Sequence, residues 1–332
     1  MTGEGGTLKR VARFGMAWAA ALMGCAHAAT LQAAANYPTR PIRLLVGFAP
    51  GGTNDIVARL LAPRMSEQLG QQTVVDNRPG ASTMLATELA SRSAPDGYTL
   101  LMNSGSHTAN PSLAKPVYDS VRDFAFITLI AESQSVLLHP ANFPAQSVKD
   151  LIAYSKQRPG ELRYSSPGVG STLHLSAELF QYMTGVKWSH IPYKGGGPAL
   201  VALLSGEVSL HFANIPVAIP HVRDGRLRAM ALSGAKRTSL LPAVPPQAES
   251  GLPGFEVTSW FGIAAPAKTP SAITGKLHAT ILRSLNTPDM RARLADQGAD
   301  PIGNSPEQYT AFIQNEIAKW AKVIKAAGIR AE

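Results

Sequence analysis

The sequence predicts an α/β protein of two similar units, each a mostly parallel sheet covered by helices. Three observations carry this reading. Short apolar runs alternate with helix-period segments from residue 37 onward, and Gly- and Pro-rich turns punctuate them. The 332 residues suffice for about two domains, each able to bury its own core. No solenoid-like repeat is present.

The first thirty residues read as an address. Lys9, Arg10 and Arg13 precede an apolar stretch over 14–23, which is too short to span a bilayer. Ala26-His27-Ala28 and Ala33-Ala34-Ala35 both suit signal cleavage, so 1–28 is taken as a signal peptide, with cleavage as late as 35 as the alternative. The sole cysteine, Cys25, follows Leu22-Met23-Gly24. That site resembles a lipoprotein junction in which Met23 fits poorly, and the preferred reading is a cysteine discarded with the signal.

Residues 42–48 form a buried-strand run between Pro41 and Pro50-Gly51-Gly52. Over 54–69, Ile56, Val57, Leu60, Leu61 and Met65 recur at helical spacing, with Gly70 placed to cap the end. Strands at 73–76 and 98–102 flank a helix over 82–92. A second set follows: helix 148–157, strand 162–164, helix 171–184, strand 188–191, helix 199–205 and strand 227–232. Helices over 271–285, 288–297 and 306–327 close the chain. The two units are expected to be crossed by the chain near 135–139 and 259–264.

Composition excludes several classes. Hydrophobic residues at 45% rule out disorder. The +9 charge arises from 31 Lys and Arg against 22 acids, without the basic runs of a nucleic-acid arm. One cysteine excludes a disulfide framework and a Cys-rich metal site. No metal and no cofactor is expected: His174 and Glu178 share a helix face, but two residues are too few for zinc. His174, His139 and His190 read as structural. No Gly-x-Ser-x-Gly elbow exists, and Ser106-His107 are sequence neighbours rather than a spatial pair, so an enzyme is not expected.

Three glycine-rich turns precede helices at strand ends, where open α/β sheets bind ligands. They are Ala49-Pro50-Gly51-Gly52-Thr53-Asn54-Asp55, Ser165-Ser166-Pro167-Gly168-Val169-Gly170-Ser171-Thr172, and Pro192-Tyr193-Lys194-Gly195-Gly196-Gly197-Pro198. Helix N-termini offer unpaired N–H groups and about half a positive charge, which suits carboxylate or phosphate. Each turn alone is equally a simple tight turn, and Asp55 reads first as a helix-capping acid. None is a Walker A motif, and Gly168-Val169-Gly170 lacks the third glycine of a dinucleotide fingerprint.

The residues also carry a family resemblance. Tyr37-Pro-x-x-Pro-Ile-Arg43, Phe48-Ala-Pro-Gly-Gly-x-x-Asp55 with Ala58-Arg59, and Asn77-Arg-Pro-Gly-Ala81 belong together. So do Pro95-Asp-Gly-Tyr-Thr-Leu100, Ser166-Pro-Gly-Val-Gly-Ser171 with His174-Leu175, His190-Ile-Pro-Tyr-Lys-Gly195, Leu227-Arg-Ala229, and Trp260-Phe-Gly262 with Ala265-Pro266. In this order they resemble the Bug-type extracytoplasmic solute receptors of tripartite tricarboxylate transporters, over 37–328.

The resemblance implies a type II periplasmic-binding-protein fold with a ligand cleft between two α/β lobes. Lobe one would be 37–136 plus 262–332, and lobe two 137–261. It implies a monomeric periplasmic protein that captures a small carboxylate and hands it to membrane transporter subunits, or else to a sensor, with no nucleic-acid partner. The implied ligand-binding residues are Ala49, Pro50, Gly51, Gly52, Thr53, Asp55, Asn103 and Ser104 from lobe one. Lobe two would supply Ser166, Gly168, Val169, Gly170, Ser171, Thr172, Tyr193 and Asn214.

Two departures from the family pattern stand out. Ser82-Thr83-Met84 replaces a glycine pair, which implies a stiffer turn. Ala213 stands where an aspartate is common. If that position lines the cleft, the lost charge favours a more anionic or more apolar ligand.

Overall fold

The computed structural model describes residues 36–329. The signal segment, with Cys25, lies outside them.

In chain order, β1 (Ile42–Val46), α1 (Thr53–Leu69), β2 (Thr73–Asn77), a 3-10 turn (Ala81–Thr83), α2 (Met84–Ser91), β3 (Thr99–Ser104) and α3 (Gly105–Leu113) come first. A long strand β4 (Phe124–Pro140) leads to α4 (Val148–Lys156), β5 (Arg163–Ser166), α5 (Thr172–Thr184), β6 (Ser189–Pro192) and α6 (Gly196–Leu204). Then come β7 (Leu210–Asn214), α7 (Ile215–Arg223), β8 (Leu227–Leu232) and β9 (Thr258–Pro266). The chain closes with α8 (Ser271–Leu285), α9 (Pro288–Asp296), β10 (Ala299–Pro301) and α10 (Pro306–Ala327).

The described strands follow the path β2-β1-β3-β9-β4-β7-β5-β6, with β8 and β10 both paired to β4. The outer groups are parallel, β1 with β2 and β3 on one side and β5 with β6 and β7 on the other. Leu44 and Leu45 point to opposite faces and both are fully buried, because helices cover both sides; hence the run is continuously apolar. The centre departs from the expected parallel pattern: β9 runs antiparallel to both β3 and β4.

Strand β4 links the halves. Phe124 to Gln134 pair with β9, whereas Ser135 to Pro140 pair with β7 and β8. Its register shifts twice against β9, and Thr128, Glu132, Gln134 and Ser135 interrupt its apolar character. A bulged, polar-interrupted strand has no clean period, so from sequence only its end was visible. Helix α3 was silent for a related reason: its sequence GSHTANPSL holds poor helix formers and an internal proline.

The last helix serves both halves. A Ser305/Gln308 capping box opens α10 and Gly328 closes it. Tyr309 and Ile313 pack in a core with Leu45, Leu101 and Trp260, while Trp320 and Ile324 pack with Tyr164, Phe180 and Trp188. Its final turns thus sit in the second core rather than with the first.

Candidate functional site

Strands β1, β3, β5, β6 and β7 each lead into a helix, β3 and β7 without an intervening loop, and those five helix starts converge on one cavity. Gly52, Thr53 and Asn54 bring the start of α1, and Ser104 the start of α3. Ser171 and Thr172 bring α5, Gly196 brings α6, and Asn214 brings α7. Only α5 is closed by a side-chain cap, the Ser171 hydroxyl, which accepts from His174 N at 3.2 Å. The other four have no side-chain cap, so nothing of that kind competes with a ligand for the N–H groups of their first turns, other than at Pro198 and Pro216, which have none.

Phe48, Pro167, Leu173, Val217, Trp260 and Phe261 supply apolar walls, and among the described residues no charged side chain lines the space. The result is a positive potential made by dipoles alone, about half an elementary charge per helix.

Six residues expected from sequence meet at this cavity: Gly52, Thr53, Ser104, Ser171, Thr172 and Asn214. The remaining ten stand around it. Ala49, Pro50 and Gly51 face the Lys194-to-Gly197 turn, and Ala49 N–H donates to Lys194 O at 2.8 Å. These glycine-rich turns therefore meet one another, closing the cleft by backbone contact.

Asp55 turns away from the cavity. Its carboxylate accepts from Gly51 N at 3.1 Å, Asn77 Nδ2 at 3.0 Å and Arg59 Nε at 3.0 Å. Burial opposes its ionisation, yet these hydrogen bonds hold the carboxyl below the usual carboxylate range. Asp55 is a holder of the first turn.

Asn103 is buried one residue behind Ser104, its Oδ1 accepting from the Tyr309 hydroxyl at 2.7 Å. Ser166 closes its own turn by accepting from Gly168 N at 3.1 Å. Gly168, Val169 and Tyr193 line a neighbouring recess with Ser82 and Thr83. Gly170, at φ +75°, donates its N–H to His174 Nδ1 at 3.1 Å. That bond requires a neutral His174, and burial, then neighbouring His190, push its pKa down to about 3.

The two departures resolve differently. Ser82 and Thr83 occupy left-handed backbone at φ +51° and +75°, where glycines would sit without strain. Ala213 does not line the cavity; it is buried with Val136, Leu138 and Ile215, so the charge argument attached to it falls away.

Sequence reasoning missed Asn54, His211, Val217, Ser259, Trp260 and Phe261, all of which line the cavity. The starts of α3 and α7 lack a glycine-rich turn, so no local signal marked them. His107, the neighbour of Ser106, is fully buried among Tyr118, Phe124 and Phe126, with Nε2 2.8 Å from Ser120 O. Among the described residues no group of three or more His, Cys, Asp or Glu could hold a metal ion, and no helix is long and apolar enough to cross a membrane.

A two-halved α/β fold with a helix-start-lined cavity between its halves is the architecture of a solute-binding protein. A family model described as "Tripartite tricarboxylate transporter family receptor" matches residues 57–329, and the chain belongs to that family. It is 39% identical to protein BugT of Bordetella pertussis, across 89% of this chain and 91% of BugT. Among solved structures it resembles R. palustris Rpa4515 with adipate (40% identity, TM-score 0.86, 89% of this chain and 99% of that one). MatC from Rhodopseudomonas palustris with bound malate is similar too (35% identity, TM-score 0.83, 87% and 100%).

Proposed function

We propose that this protein is a periplasmic receptor that captures a small organic acid and delivers it to the membrane subunits of a tripartite transporter. The observation that carries the reading is the convergence of five helix starts, four of them without a side-chain cap, on a cavity that no charged side chain lines among the described residues. Such a site takes a carboxylate through N–H groups and hydroxyls, in a space where few water dipoles compete. Adipate and malate in the two related structures support the same ligand class.

In this reading the signal over 1–28 directs export and is removed, and the receptor acts as a monomer. The lobes are 37–136 with the following 262–332 stretch, and 137–261, with α10 strapped across both. Ligand favours the closed form only as far as it binds that form better.

The test is a thermal-shift screen of refolded, ligand-free protein against organic acids and amino acids. A true ligand at a hundredfold excess over its Kd adds about 2.7 kcal/mol, or roughly 5–10 °C. Folded protein with no shift from any acid would overturn the reading.

A further inference from the structure

Four residues that line the cavity have a buried hydrogen-bonding atom without a partner among the described residues: Asn54 Oδ1, His211 Nε2, Asn214 Nδ2 and Trp260 Nε1. His211, on β7, is completely buried and lines the cavity beside Asn214 and Val217. Its Nδ1 lies 3.0 Å from the backbone carbonyl of Ser165 and 3.1 Å from the Ser165 hydroxyl oxygen. A carbonyl can only accept, so Nδ1 carries the proton. The Ser165 hydroxyl spends its own proton on Ala199 O at 2.8 Å and agrees with that assignment. The tautomer is therefore fixed by partners on β5 and α6.

Nε2 is then a bare acceptor, buried and without a partner. Since Nδ1 is turned to Ser165, Nε2 is the polar atom left for the cavity. The ring stays neutral, because burial pushes its pKa down to about 4. Around it most polar groups donate or can donate: the helix-start N–H groups, the unpartnered Asn214 Nδ2 and Trp260 Nε1, and the Ser171 hydroxyl. Asn54 Oδ1 is a second bare acceptor, but its amide can turn to present NH2 instead, whereas the Nδ1 bond to Ser165 holds His211 in one orientation. A ligand that offers only carboxylate oxygens would satisfy those donors and leave Nε2 facing an acceptor.

We propose that His211 is a specificity-determining residue whose Nε2 accepts a hydrogen bond from a ligand hydroxyl, so that the cleft selects small hydroxy acids over the same acids without the hydroxyl. The inference rests on the carboxylate reading of the cavity. A hydroxyl is favoured over an ammonium group because five positive helix ends surround the site. An unpaired buried acceptor costs enough to discriminate by tenfold or more.

The experiment is calorimetric titration of the refolded protein with matched pairs: succinate and malate, glutarate and 2-hydroxyglutarate, 3-phenylpropionate and 3-phenyllactate, each enantiomer separately. Aspartate tests the ammonium alternative. The expected result is at least tenfold preference for the hydroxy member of the bound pair. In His211→Leu that ratio falls to near one; His211→Gln, which restores an acceptor, recovers part of the preference.

As a check independent of variant folding, the Nε2 resonance of 15N-labelled His211 should move on adding the hydroxy acid and stay fixed with its plain partner. Equal affinities in the wild type, a ratio unchanged in a folded His211→Leu protein, a preference for aspartate, or an unmoved Nε2 resonance would each overturn the inference while leaving the receptor reading standing. Binding of no acid at all would overturn both.

Discussion

Gly105→Val is expected to cut ligand affinity at least tenfold while each half of the molecule keeps its fold. Gly105 opens α3 where that helix meets the start of α5, and a Cβ placed there would lie 2.0 Å from Thr172 Oγ1 and 3.6 Å from Thr172 N. The two helix starts belong to opposite sides of the cleft, so the added side chain wedges them apart. Overpacking at a tight contact costs about 1–3 kcal/mol, and every 1.4 kcal/mol is tenfold in affinity. Calorimetric titration beside far-ultraviolet circular dichroism separates lost closure from lost folding. An unaltered Kd would show that the cleft binds without bringing α3 and α5 together.

Acidification from pH 7 to pH 5 is expected to lower the melting temperature by at least 10 °C. Burial pushes the pKa of His107 and His190 down to about 4, and of His174 to about 3 with help from His190. His211 is likewise lowered to about 4 by burial. Unfolded histidines titrate near 6.5, so below that pH the unfolded chain gains protons that the native state refuses. Stability is complete above the unfolded value and falls as pH drops toward 4, by about 2 kcal/mol per buried histidine at pH 5.

Glu132 acts in the opposite sense, since burial and then Glu316 and Asp300 raise its carboxyl, but it is one group against these four histidines, with His139 and His221 also lowered by burial. Asp55 and Asp119, both lowered, contribute only at still lower pH. The measurement is melting temperature against pH in the ligand-free protein. A flat profile from pH 7 to pH 5 would contradict the neutral, buried histidines, and with them the Gly170 N–H bond to His174.

Much of this molecule was legible in its sequence wherever a local pattern sets the structure. The helix over Thr53–Leu69, with Gly70 as a left-handed cap at φ 69°, follows from apolar spacing and one glycine. The Ser171 start of α5 was equally readable. What escaped is set by tertiary packing. Helix α7 contains Pro220 in its interior, which argues against a helix locally, yet Ile215, Ala218 and Ile219 bury it against β7 and β8.

The site divides along the same line. Three helix starts announced themselves through glycine-rich turns; the starts at Ser104 and Asn214 did not. The glycines themselves proved to serve contact between the halves as much as approach by a ligand, a distinction that exists only in three dimensions. His211 follows the same logic: its placement against Ser165 is a β5–β7 strand pairing, invisible along the chain.

The central claim is that converging helix starts bind an anion without a cationic side chain. It is tested most directly by titrating the refolded protein with an acid identified in the thermal-shift screen and with that acid's methyl ester. The account predicts that the free carboxylate binds at least a hundredfold more tightly than its methyl ester. Equal affinity for the two would contradict it, because a site indifferent to the ligand's charge makes no use of five helix dipoles.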